Sequence, residues 1–212
     1  MAAALGRRET FELLAARQTK AVQEKLARGR VAVAGLGGLG SNVALALARC
    51  GVGSLKLIDF DSVDAANIHR QAYFLRHIGR AKTEALAELI AEINPWIELS
   101  LDSAKLGGDN TADKLRGWPI IIEAFDLAES KAELVNIVLT GLPEARLICA
   151  SGLAGLESAN DIVSRKLGRR FFVCGDGRSE AAEGGSLMAP RVMVCAGHQA
   201  NLAVSLIVNG DI

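Results

Sequence analysis

The sequence predicts an α/β fold, a mainly parallel sheet with helices on both faces and an antiparallel extension near the C-terminus. Three observations carry that reading. A short apolar run, Val31–Ala34, enters a glycine cluster, passes through a stretch of small helix formers and returns in a second apolar run, Leu55–Phe60, which ends in Asp59 and Asp61. That order is a strand, a tight turn, a helix and a parallel strand. Two more apolar runs, Pro119–Ala124 and Ala145–Ala150, lack polar alternation, as strands buried on both faces do. The runs Asp161–Arg165 and Arg170–Cys174, joined across Lys166-Leu167-Gly168-Arg169, read as a hairpin.

A length of 212 residues suits one domain with a proper core, here an N-terminal helical segment, 1–30, ahead of a nucleotide fold, 31–212. Half of the residues are hydrophobic, and 24 basic side chains balance 24 acidic ones, so nothing in the overall charge points to nucleic acid or a membrane surface. Cys50, Cys149, Cys174 and Cys195 are widely spaced and form no Cys-x-x-Cys pair, which suits reduced thiols in a cytoplasmic protein and gives no sign of zinc. No signal-peptide core opens the chain, and the most apolar late stretch, Val192–Val208, is interrupted by Gly197, His198, Gln199 and Asn201. It reads as a core or interface helix, with His198 and Gln199 in packing roles.

Glu9–Arg28 is predicted as one helix, with Phe11, Leu14, Val22 and Leu26 on its apolar stripe and Gly29 as its stop. Gly35, Gly37 and Gly40 then fit a G-x-G-x-x-G spacing. Those glycines permit a sharp turn, close approach of backbone to a phosphate, and tight packing of helix on strand. The phosphate sits at a helix N-terminus, and Asp59, nineteen residues after Gly40, falls where an acidic side chain receives ribose hydroxyls. On this motif alone an NAD-dependent oxidoreductase is the leading reading.

The residues after Asp61 change that balance. Asn67, Arg70 and Gln71 crowd a connection too polar for a strand. The helix Gly79–Ile93 follows, with Leu86, Leu89, Ile90 and Ile93 at helical spacing and Lys82 on the same face. Lys82 either snorkels to solvent or points into the ligand crevice of the sheet. Asn94-Pro95 stops the helix, Ile97, Leu99 and Leu101 alternate as in a peripheral strand, and Asp109–Arg116 reads as a short helix. Asp126 closes the strand Pro119–Ala124. With Glu129 three residues on, it suits the N-cap of a helix Leu127–Leu142, and at the carboxyl end of a parallel strand it suits a metal carboxylate. Gly175–Ala189 is a glycine-rich loop without periodicity, and Pro190 opens the last helix.

Taken together, GLGGLGS with Gly35, Gly37, Gly38 and Gly40, then Asp59-Phe60-Asp61, Asn67 with Arg70-Gln71, Lys82, Asn94-Pro95 and Asp126 resemble the ubiquitin-activating-enzyme-like adenylyltransferases. The chain is similar to their ThiF, MoeB and HesA branch, and most of all to the short ThiF-like proteins of thiamine biosynthesis. The likeness runs from about Arg17 to the final helix.

The resemblance implies a Rossmann-like ATP-binding adenylation domain. In that family the C-terminal glycine carboxylate of a small ubiquitin-like sulfur carrier, ending in Gly-Gly, attacks the α-phosphorus of MgATP to give an acyl adenylate and pyrophosphate. Arg70 and Lys82 are then the phosphate contacts, Asp126 is the Mg²⁺ carboxylate, and Asp59 holds the ribose with Asp61 beside it. Asn67 and Gln71 support phosphate or loop geometry, and the Gly37–Gly40 turn brings backbone amides to the nucleotide. Arg17 matches the arginine of the family's N-terminal Arg-Gln element, which reaches the γ-phosphate of a neighbouring subunit, so a homodimer is implied. Without that family in view Arg17 reads as an exposed surface charge.

The resemblance also has departures. The two zinc-binding Cys-x-x-Cys pairs of longer relatives are missing, so folding without zinc is expected. No cysteine aligns well with the one that longer relatives join to the carrier; Cys174 is nearest, and it reads equally as a buried strand-end thiol. The loop Gly175–Ala189 would cover the carrier tail. A scaffold that binds nucleotide or carrier without turnover is the remaining alternative.

Overall fold

A computed structural model describes residues 5–180 and 186–210. Seven strands form one sheet in the order β3-β2-β1-β4-β5-β7-β6. They are β1 (Arg30–Ala34), β2 (Ser54–Ile58), β3 (Glu98–Asp102), β4 (Ile120–Glu123), β5 (Arg146–Ala150), β6 (Val163–Gly168) and β7 (Phe171–Gly175). Every neighbouring pair is parallel except β6 with β7, so the predicted Rossmann-like architecture and its antiparallel extension are both present.

The central strands are buried on both sides, as their unbroken apolar runs require. Val31 and Val33 of β1 face one core with helices α3 (Gly38–Cys50), α4 (Lys82–Ile93) and α7 (Ala189–Asn209), while Ala32 and Ala34 face a second core with α5 (Thr111–Leu115) and α6 (Ala128–Gly141). β3 closes one edge, and Leu101 is exposed there. At the other edge every residue of β6 is exposed. The helix α7 is long and apolar enough to cross a membrane, but its Val192, Cys195, Ala196, Leu202, Ala203 and Leu206 are buried in the first core. Pro190 stands in its first turn, where a missing N–H costs nothing.

Several boundaries differ from expectation. The single helix Glu9–Arg28 is two, α1 (Arg7–Gln18) and α2 (Lys20–Leu26), broken at Thr19 with φ 74° and ψ 149°. The Thr19 hydroxyl accepts a hydrogen bond from Val22 N at 3.4 Å and so caps α2. The break also lets the Gln18 and Gln23 side-chain amides donate to the carbonyls of Cys50 and Gly51, at 3.3 and 3.4 Å. α1 contains no buried residue. The helix predicted over Gly79–Ile93 begins at Lys82, and β2 ends at Ile58, which frees Asp59 and Asp61 to turn. Within the predicted loop Gly175–Ala189, residues 181–185 lie outside the described ones.

Candidate active site

The crevice lies at the carboxyl ends of β1, β2 and β4, the position where open parallel sheets take ligands. The turn after β1 is built by glycines for two separate reasons. Gly35 has φ +90°, and a Cβ there would stand 2.8 Å from the carbonyl oxygen of Ala124. A Cβ on Gly40 would stand 1.8 Å from the carbonyl oxygen of Gly35, so α3 can lie this close to β1 only without a side chain. Gly37, by contrast, has open space, the nearest atom to its virtual Cβ being Gln71 Nε2 at 3.8 Å. The N-terminal turn of α3 therefore presents bare backbone to the crevice.

Asp59 is buried and organises this turn. Its carboxylate accepts hydrogen bonds from Leu36 N at 2.7 Å and Asp61 N at 2.8 Å, joining the ends of β1 and β2. Lys82 is only 6% exposed, so it does not snorkel. Its ammonium donates to Asp61 Oδ2 at 2.8 Å and lies 3.7 Å from Asp59 Oδ2. A cation at the first residue of a helix opposes the helix dipole, and the two aspartates offset that cost. Tyr73, also buried, donates from its hydroxyl to Leu36 O at 2.9 Å. Burial, reinforced by the nearby Asp59 charge, pushes the phenol far above its usual range, so it remains a donor.

Arg70 hangs over the same turn. Its guanidinium donates to Asn67 Oδ1 at 3.1 Å, and its side-chain carbons would lie 3.4 and 3.5 Å from a Cβ on Gly38. Asn42, unnoticed in the sequence, fastens this connection to α3 by donating to Gly38 O at 2.7 Å and Arg70 O at 3.2 Å. Gln71 is buried, and its Oε1 has no hydrogen-bond partner among the described residues.

Asp126 follows β4 and is exposed. It does not cap α6: the N-cap residue is Leu127, with no side-chain cap, because the chain stays extended one residue longer than a capping box allows. Among the described residues no side-chain hydrogen bond or ion pair engages it. An unpaired carboxylate beside a glycine turn fits Mg²⁺, which is commonly held by one or two carboxylates together with phosphate oxygens and water.

Arg17 stands apart from these residues. Gln18 bonds Cys50 at the far end of α3, and Trp96 Nε1 donates to Leu5 O at 3.3 Å, so α1 packs where the chain enters β2 and β3. The thirteen-residue helix α3, with a rise of 1.5 Å from each residue to the next, separates Cys50 from Gly38 by about 18 Å. Within one chain Arg17 is at the wrong end of the sheet for the crevice.

The thiols are equally remote from reaction. Cys174 is fully buried, and burial pushes its thiol up to about 11, with Ser164 Oγ 3.6 Å away countering only part of the shift. Burial pushes Cys195 up to about 12. Neither is a thiolate at neutral pH.

Two buried ion pairs escaped the sequence reading. Glu123, inside the apolar run of β4, meets Lys131 at 2.9 Å. Asp176 meets Arg191 at 2.6 Å, which closes the base of the segment between β7 and α7. Burial works against ionisation of Asp176, but backbone N–H donors from Ser179 and Arg178, together with Arg191, outweigh it and hold the carboxyl at about 2. The available signal for Glu123 was a charge inside an apolar strand.

Comparison with known proteins identifies the family and the fold. The ThiF family matches residues 11–211. A molybdopterin-synthase adenylyltransferase of Salmonella typhimurium is 30% identical over 192 residues, covering 87% of this chain and 75% of its own length. The Escherichia coli tRNA threonylcarbamoyladenosine dehydratase is 40% identical over 111 residues, 51% of this chain and 41% of the relative. A probable adenylyltransferase/sulfurtransferase, MoeZ of Mycobacterium tuberculosis, is 36% identical over 124 residues, 57% of this chain and 31% of the relative. The match thus spans less than half the length of the last two relatives. The crystal structure of the E. coli dehydratase, TcdA, in complex with ATP superposes with a TM-score of 0.84 over 97% of both chains at 24% identity, which establishes the fold. From this family match and the motif residues gathered at the sheet's carboxyl edge, the chain belongs to the ThiF family.

Proposed function

We propose that the chain is an ATP-dependent adenylyltransferase that activates the C-terminal glycine carboxylate of a small ubiquitin-like, ThiS-like sulfur carrier. The observation that carries this reading is the convergence, at one edge of the sheet, of a bare-backbone turn, a buried Lys82 among acidic partners, Arg70 and the unpaired Asp126. A dinucleotide oxidoreductase has no use for the last three.

A carboxylate oxygen of the carrier attacks the α-phosphorus, a new P–O bond forms, the α–β bridge breaks, and pyrophosphate leaves with the electron pair. The attacking group is already ionised, so no side-chain base is required. The work left to the protein is alignment and neutralisation of charge. In this reading Lys82 and Arg70 supply cations to the phosphates, and Asp59 receives the ribose hydroxyls. Asp61 holds Lys82, while Asn67 and Gln71 shape the connection that carries Arg70. Asp126 would hold Mg²⁺, which when bound screens the polyphosphate. Arg17, remote in its own chain, serves the crevice of a second copy in a homodimer. The setting is cytoplasmic synthesis of the thiamine thiazole or of a related sulfur-containing cofactor.

A carboxylate carried on a tRNA nucleoside is the second reading, favoured by the likeness to TcdA along nearly the whole chain. The formal net charge of +0 favours the carrier, because tRNA partners are bound through a surplus of basic groups. ATP–pyrophosphate exchange, measured with Mg²⁺ and a panel of Gly-Gly-ended carriers or with modified tRNA, decides among them. Exchange that depends on one carrier is expected. ATP binding without exchange would leave a scaffold, and NAD binding in place of ATP would restore the oxidoreductase.

Mixing Arg17→Ala with Lys82→Ala protein tests the shared site. Each variant alone should be at least about tenfold impaired, and the mixture should regain up to about a quarter of wild-type exchange, since one crevice of a mixed dimer then keeps both residues. No recovery on mixing would confine Arg17 to its own chain.

A further inference from the structure

Glu123 is 0% exposed, yet it is a charged side chain at the tip of a central strand. Lys131 Nζ donates to both of its carboxylate oxygens, at 2.9 and 3.1 Å, and reaches on to Ala150 O at 3.3 Å. Phe125 N donates to Glu123 Oε1 at 2.7 Å. From the opposite side of the sheet, Gln199 Nε2 donates to the backbone oxygens of Glu123 and Ile148, at 3.0 and 3.4 Å.

A buried carboxylate with one cation and a backbone donor is stable as a unit and poor as an isolated charge. Its placement is informative. Glu123 is the last residue of β4, and Lys131 lies in the first turns of α6. The chain between them carries Asp126, whose side chain no hydrogen bond or ion pair holds among the described residues. The backbone on either side is fixed instead: Ala124 N bonds Ala34 O at 2.8 Å, Phe125 N bonds the Glu123 carboxylate, and Lys131 N bonds Leu127 O at 3.0 Å.

We propose that Glu123 and Lys131 are positioning residues that staple the turn bearing Asp126 and thereby set where its carboxylate meets a divalent cation. This rests on the reading of Asp126 as the metal carboxylate. Groups that orient a metal ligand commonly change metal affinity by 10–100-fold when removed, and a pair that served stability alone would not change it.

The test is Mn²⁺ binding, followed by electron paramagnetic resonance, to the full chain with α,β-methylene-ATP bound. Wild type is compared with Asp126→Ala, Glu123→Gln, Lys131→Met and Lys131→Arg. Glu123→Gln and Lys131→Met should bind Mn²⁺ about tenfold more weakly. Their affinity for the analogue without metal should stay within about twofold of wild type, and their exchange activity should recover as Mg²⁺ is raised. Lys131→Arg, which keeps the cation, should bind Mn²⁺ as wild type does. Should Glu123→Gln fail to fold, Lys131→Met decides alone, the lysine being the less deeply buried of the pair. Unchanged Mn²⁺ affinity in Lys131→Met beside a loss in Asp126→Ala overturns the staple only. Unchanged affinity in Asp126→Ala overturns the metal reading and the staple with it.

Discussion

Replacing Lys82 by alanine is expected to lower ATP–pyrophosphate exchange by at least about a hundredfold, the scale seen when one charge-stabilising group is removed from a transition state. The size follows from burial. Lys82 lies between Asp59 and Asp61 at the mouth of the glycine turn, so its removal leaves two carboxylates facing the place where polyphosphate would lie. Without the ammonium those carboxylates would repel a polyphosphate placed there. Asp126→Ala should fall by a similar factor for the complementary reason, loss of the cation's anchor. A circular-dichroism melt separates chemistry from folding: Asp126 is exposed, and its variant should melt with wild type. Exchange that survives in both variants would sink the roles given to Lys82 and Asp126.

Gly40→Ala is expected to strike the fold itself. A methyl group there would stand 1.8 Å from the backbone oxygen of Gly35, and a backbone atom cannot rotate aside as a side chain can. Helix α3 must move off β1, at a cost of about 3 kcal/mol or more, which for a chain of this length lowers the melting midpoint by roughly 6–12 °C. Gly37→Ala is the control. Its methyl group meets nothing closer than Gln71 Nε2 at 3.8 Å, so the melt should scarcely change while ATP binding weakens as the methyl fills space meant for phosphate. Equal melting shifts in the two variants would show that glycine is needed throughout the turn for folding alone.

The parts of this molecule that local chemistry dictates could be read before the structure. The unit from Val31 to Asp61 follows from apolar runs and glycines that leave the chain few alternatives, and the antiparallel hairpin follows from its turn. Lys82 was visible as a lysine on an apolar face, but its destination was not, because Asp61 lies twenty-one residues away and only the fold brings them together. Asp126 looked like a cap as well as a ligand, since Glu129 satisfies the capping pattern, with its place at a strand end favouring the ligand modestly; one extra extended residue, Leu127, separates the two. The break at Thr19 was hidden because propensity across Glu9–Arg28 is uniformly helical, and the carbonyls of Cys50 and Gly51 that reward the break are distant in sequence. Glu123 was hidden in the same way, its partner being supplied by another element. Arg17 could be placed on a helix, whereas the end of the sheet on which that helix packs is a tertiary fact.

The joint at Thr19 has a dynamic consequence. A β-branched residue at φ 74° and ψ 149° occupies a region ordinarily left to glycine, which stores about 1–3 kcal/mol of strain. The helix on its N-terminal side offers no buried side chain to offset that energy. Opening α1 therefore releases strain and forfeits little packing, so α1 forms a separate cooperative unit of low stability. Its amide protons should exchange with solvent deuterium well ahead of those in α3 and α7, and a bound second copy that captures Arg17 should slow them.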